Sequence, residues 1–189
     1  MIDRMSLVAR QFAIATAMVV TAASFLPRPV AAATAGELQR DAQAALNSLY
    51  AKNAAARALQ KQAVAILVFP SILKAGLGIG GQFGEGVLFR SGKAVAYYNT
   101  TGASYGLQAG AQQYGYALFF QNEAAVKALG RSEGFEVGVG PSVVVVDEGL
   151  AKQMTSKTMT NDIYAFIFNQ QGAMAGLGIQ GNKITRIDK

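Results

Sequence analysis

The pattern of apolar and polar positions changes near residue 64 and divides the chain into a helical part and a sheet part. From Glu37 to about Gln62 the chain is dominated by Ala, Leu, Gln, Lys and Arg, all good helix formers. Leu38, Ala42, Ala45 and Leu49 fall on one helical face, with Arg40, Gln43 and Asn47 elsewhere. Asn53 is expected to split the segment into two helices. Thr34 and Glu37 have the S/T-x-x-E spacing of a capping box.

After Val64 the chain turns to apolar runs, alternation and frequent glycine. Val64–Phe69 predicts a buried strand that Pro70 should stop. Gly76–Arg90 and Lys93–Asn99 predict strands joined by a turn at Ser91-Gly92. Tyr105–Gln121 is long enough for two strands with a bend at Gln112–Gly115. Asn122–Leu129 predicts a short helix, with Asn122 as N-cap and Gly130 as its stop. Phe135–Val146 reads as a strand pair or one long strand, 147–161 as a loop or short helix, and Ile163–Phe168 and Leu177–Ile187 as closing strands. The expected class is α+β, an N-terminal helical segment packed on a largely antiparallel, glycine-rich sheet that can curl towards a barrel. One string repeats: Ala75-Gly-Leu-Gly-Ile-Gly-Gly-Gln82 returns as Ala175-Gly-Leu-Gly-Ile-Gln-Gly-Asn182, each after an apolar run. It suggests a twofold device inside one sheet.

The N-terminus changes the context. Arg4 and Arg10, an apolar stretch from Phe12 to Leu26, Pro27, and small residues at Ala31–Ala35 have the order of a secretory signal peptide, with cleavage after Ala33 or Ala35. The expected division is a signal peptide over 1–35 and one domain over 36–189, in the periplasm or secreted. Loss of three arginines and one aspartate would lower the net charge from +6 to +4. The chain has no cysteine, so packing and sheet hydrogen bonds must supply its stability. A basic first half suits an anionic partner, although sparse cations are commonly a solvated face.

Three strings invite an enzymatic reading. Gly76, Gly78 and Gly81 fit G-x-G-x-x-G, as do Gly176, Gly178 and Gly181, but strand patterns follow both where a dinucleotide site needs a helix. Gly102-Ala-Ser104-Tyr-Gly106 fits the G-x-S-x-G nucleophile elbow, yet the chain contains no histidine to take the serine proton. The nitrogen and sulfur metal ligands are likewise missing, and the carboxylates are scattered. No catalytic residue, cofactor or metal is expected.

The string Ala65-Ile-Leu-Val-Phe-Pro-Ser-Ile-Leu-Lys-Ala-Gly-Leu-Gly-Ile-Gly-Gly-Gln82 resembles the SYLF domain family. Gly84–Leu88, Tyr97–Gln112, Phe119-Phe120, Val137–Val139 and Gly176–Ile187 continue the resemblance in order. The family's eukaryotic members bind phosphoinositide membranes and, in fungi, actin filaments. The resemblance implies lipid binding through a basic N-terminal helical region and basic residues of the domain, which by position are Lys52, Arg57, Lys61 and Lys74. The helix face here is mostly alanine, without Trp or Phe to sit among acyl chains. The expected function is reversible association with anionic phospholipid surfaces; the alternative is a structural or protein-interaction module of the cell envelope, self-association included. Actin is not expected as a partner of an exported chain, and neither is nucleic acid.

Overall fold

In the computed structural model, which describes residues 33–131, 133–137, 139–146, 160–172 and 181–189, with backbone alone at 104–109, the helical part is two helices. Helix α1 spans Ala35–Lys52 and α2 spans Ala54–Gln60. The capping box is present: Glu37 N donates to Thr34 Oγ1 at 3.3 Å, and Thr34 N donates to Glu37 Oε2 at 2.9 Å. Thr34 Oγ1 also donates to Glu37 Oε2 at 2.7 Å, and this bond first, then that from Thr34 N, holds the Glu37 carboxyl below its ordinary pKa. Asn53 both ends α1 and starts α2. Its backbone N–H donates to Leu49 O at 2.9 Å, and its side-chain oxygen accepts from Ala56 N at 3.0 Å. Leu38, Ala42, Ala45, Leu46 and Leu49 form the buried face of α1.

The sheet is organised by one long antiparallel ribbon. Strand β1 runs from Ala65 to Arg90 and β2 from Lys93 to Phe120, joined by Ser91-Gly92. Both turn residues have positive φ, 49° and 76°, which matches the two-residue type I′ hairpin turn. The upper half of β2 pairs with β5 (Ile163–Gly172), which pairs in parallel with β4 (Val143–Val145). The lower half of β2 pairs with β6 (Lys183–Ile187), which pairs with β3 (Phe135–Glu136). The ribbon therefore serves two half-sheets and must bend between them. β1 then crosses itself at close range: a Cβ on Gly84 would lie 2.8 Å from Ser71 O, and one on Gly86 2.7 Å from Val68 O. Only glycine permits that approach.

Pro70 does not stop the strand as its sequence position suggests. It sits in a bulge between Phe69 and Ile72, where β1 carries one residue more than β2. As β1 pairs only with β2 among the described residues, the missing N–H of Pro70 costs no ladder bond on the other edge. Ser71 is tied across the bulge by Gln113 Nε2, which donates to its Oγ at 2.7 Å. The extra residue reverses the alternation of β1. Before it, Ala65, Leu67 and Phe69 face the core; after it, Ile72 does.

That core lies between the half-sheets and includes Leu67, Phe69, Ile72, Tyr114, Tyr116, Leu118, Phe120, Phe135, Ile163 and Ile184. Burying each large apolar side chain contributes roughly 1.5–3 kcal/mol. The opposite face of the first half-sheet is also buried, at Ile66, Val68, Ala117, Phe119 and Phe166. Helices α1 and α2 cover it, with Tyr50 edge-on to Phe119 at 6.3 Å.

Helix α3 (Glu123–Ala128) has Asn122 as N-cap, its side chain accepting from Ala125 N at 2.8 Å. Tyr105–Gln121 is the continuous end of β2, not two strands. Phe135–Val146 resolves into the short strands β3 and β4. Asp162 binds the chain around them, accepting from Ser142 N at 2.9 Å, Ser142 Oγ at 3.0 Å and Asn122 Nδ2 at 2.8 Å. The loop expected over 147–161 lies almost wholly outside the described residues, as do 1–32 and most of the second glycine string.

Candidate functional site

Three of the four cations singled out from sequence lie along the two helices. Lys52 stands in the last turn of α1, Arg57 in α2, and Lys61 at the C-cap of α2. All three are exposed. Arg57 Nη1 donates to Tyr50 O at 2.8 Å and so satisfies one of the terminal carbonyls of α1. Lys52 and Lys61 both sit at helix C-termini, where the helix dipole favours positive charge. From Ala42 to Gly84 the sequence holds these cations and no Asp or Glu. Beside them is a cleft of about 410 Å³, whose lining includes Tyr50, Lys61, Ile66, Phe89, Ser91 and Gly92. The Tyr50 hydroxyl is buried without a hydrogen-bond partner among the described residues, and burial raises its pKa.

Lys74 is not part of this surface. It is 6% exposed, on the inner face of β1 and abreast of Gln112, itself 6% exposed. The bulge at Pro70-Ser71 is the cause: with unbroken alternation from Ile66 and Val68, position 74 would point outward. The expectation that Lys74 meets a membrane surface is therefore corrected.

Two of the enzyme-like strings lie among the described residues, and both are inside strands. Gly76–Gly81 lies within β1 and Gly102–Gly106 within β2, in register with each other where Gly81 pairs with Ala103 and Gly80 with Ser104. Neither opens a helix, as a pyrophosphate site or a nucleophile elbow requires. Sequence reading passed over the amides that end the two repeated strings. Gln82 Nε2 donates to Asn182 Oδ1 across a hundred residues of chain, and Gln82 Oε1 accepts from Tyr114 Oη at 2.8 Å. The amides that end the two strings thus meet inside the fold. Burial pushes the Tyr114 phenol up to about 12. Tyr116 Oη is 3.4 Å from Thr100 Oγ1 in the same interior, while Gln112 Oε1 and Asn182 Nδ2 are buried without partners among the described residues. The signal available from sequence was the repeat itself, since both copies end in a side-chain amide.

The outer face carries a second feature. Leu73, Leu77, Ile79 and Phe83 of β1 are 57%, 83%, 68% and 51% exposed. Among the described residues, no helix is long and apolar enough to cross a membrane.

No curated protein matches the chain. The family model Ysc84, described as Las17-binding protein actin regulator, matches residues 101–189, which run from the middle of β2 to the end of the chain. The strings before residue 101 that resemble SYLF domains lie outside that span. Over residues 101–189, just under half of its length, the chain is similar to the Ysc84/SYLF domain family.

Proposed function

We propose that this protein is an exported binding domain that associates reversibly with anionic phospholipid surfaces, using Lys52, Arg57 and Lys61. The observation that carries the reading is that these three exposed cations lie along the two helices, within a segment from Ala42 to Gly84 that has no acidic residue. Each Lys or Arg near such a surface contributes about 1 kcal/mol, so three together amount to roughly a hundredfold in partitioning. The apolar face of the helices is buried against the sheet, which supports surface attachment and not deep insertion of the helices. The signal-peptide pattern of residues 1–35 supports export, and an exported chain is separated from the actin named in the family description.

Co-sedimentation with vesicles of equal parts phosphatidylglycerol and phosphatidylcholine tests the proposal. Binding is expected at low salt, to weaken as salt screens the charges, and to fall strongly in the Lys52→Ala, Arg57→Ala, Lys61→Ala variant. Absence of binding, or binding indifferent to both salt and the triple substitution, would sink it. The second reading, a protein-interaction module of the envelope, predicts indifference to vesicles and a partner or oligomer recovered by cross-linking.

A further inference from the structure

The ribbon bends where Leu77 pairs with Ala109 and Ile79 with Tyr105, so that one β1 residue opposes three of β2. Gly78, the residue between, has φ 74°. A Cβ on Gly76 would overlap the Gly80 backbone, which puts that pair on the inside of the bend and Leu77 and Ile79 on its outside. Large aliphatic side chains at a projecting corner are the reverse of what an edge strand in water favours, where lysine, charge or proline blunt the edge.

The chemistry of the surroundings is equally one-sided. The row from Ala75 to Gly84 has no charged residue, and neither does β2 and its continuation from Ala94 to Asn122. Glu85, the first acid beyond the row, is neutralised by Lys189 Nζ at 2.7 Å. The faces also align. β2 alternates without interruption from Phe119 through Ala117 and Gln113 to Ala111, so Leu73 and Ala75, which pair with Gln113 and Ala111, look out on the same side as the face that α1 and α2 cover. The helices that carry the cations and the start of the apolar row, Leu73 to Leu77, therefore lie on one side of the first half-sheet. A helix is about 10 Å in diameter with its side chains, so the helical layer stands proud of the bare sheet beside it. A flat surface meets both only when the ribbon tilts corner first.

From this we infer that Leu77 and Ile79, flanked by Leu73 and Phe83, form a wedge that enters the headgroup and acyl boundary of a bilayer while Lys52, Arg57 and Lys61 hold the headgroups. The inference rests on the lipid-binding reading above. A bilayer fits the row because its interior requires desolvation and no polar anchors, and because the cationic, acid-free segment that carries the row complements anionic headgroups.

The full domain is tested with the same vesicles. Leu77→Ser with Ile79→Ser removes two exposed side chains that make no core contact, so far-ultraviolet circular dichroism should be unchanged while partitioning falls at least roughly tenfold. Val95→Ser, an exposed aliphatic near the hairpin turn, serves as the control and should leave partitioning unchanged. The chain has no tryptophan, so Leu77→Trp supplies a single indole whose emission should shift to the blue on vesicles and be quenched by lipids brominated near the top of the acyl chain. Failure of the unsubstituted protein to bind vesicles would overturn the lipid reading and the wedge with it. Binding that is abolished by the triple cation variant but untouched by Leu77→Ser with Ile79→Ser, with indole emission unshifted, would overturn the wedge alone. A dimer in sedimentation velocity that the corner variant dissociates would also overturn it, by showing that a second copy covers the row.

Discussion

Gly102→Ala tests whether the glycine strings serve packing. The Gly102 Cα faces the amide pair that joins the ends of the repeat: an added methyl would lie 2.8 Å from Gln82 Nε2 and 3.1 Å from Gln82 Cγ, and would overlap Asn182 Oδ1. Asn182 is only 3% exposed and has no room to swing away. Overpacking of this kind costs about 1–3 kcal/mol, and displacing a buried amide bond leaves polar atoms unpaired at about 1–3 kcal/mol more. The two overlap, so the expected loss is about 2–4 kcal/mol out of a typical total of about 5–15. Urea unfolding of the wild type, Gly102→Ala, Asn182→Ala and the double variant measures it. In the Asn182→Ala background the methyl enters space the amide has vacated, and Gly102 does not have the positive φ that would strain alanine. The alanine also lowers the entropy of the unfolded chain, worth about 0.4–1 kcal/mol in its favour. Its cost there should therefore fall below about 1 kcal/mol. Equal costs in both backgrounds would refute the reasoning, because the strain would then come from somewhere other than the amide pair.

Two further outcomes follow from the local geometry. Thr34→Ala removes the hydroxyl half of the capping box and should destabilise the domain by about 1 kcal/mol in thermal or urea denaturation, while the Glu37 carboxyl, followed by NMR titration, rises towards its ordinary pKa; cleavage after Ala35 would have the first effect and cleavage after Ala33 would not. The Tyr114 phenol, raised to about 12 by burial, stays neutral in the folded state where the unfolded chain already ionises near pH 10, so its contribution is complete below about pH 10 and is lost as pH rises towards 12. Tyr114→Phe should flatten that alkaline limb of stability against pH, and an unchanged limb would mean that another group produces it.

What could be read along the chain was whatever neighbours in sequence decide. The capping box at Thr34 and Glu37, the break at Asn53, the N-cap at Asn122 and the turn at Ser91-Gly92 all depend on partners within four residues, and each is found in the fold. The lack of histidine likewise settled early that Ser104 has no imidazole base. The faces of β1 could not be read in this way. A single extra residue at Pro70-Ser71 turns Lys74 inward and Leu73 and Leu77 outward, and whether a proline ends a strand or sits in a bulge depends on the strand opposite, more than forty residues on. The same holds for Gln82 and Asn182, which form one buried pair only because the ribbon bends and brings β6 beside β2. Periodicity identifies which residues alternate. Register, set by pairing between distant segments, decides which of them face water, and so which cations and which aliphatics are presented to a partner.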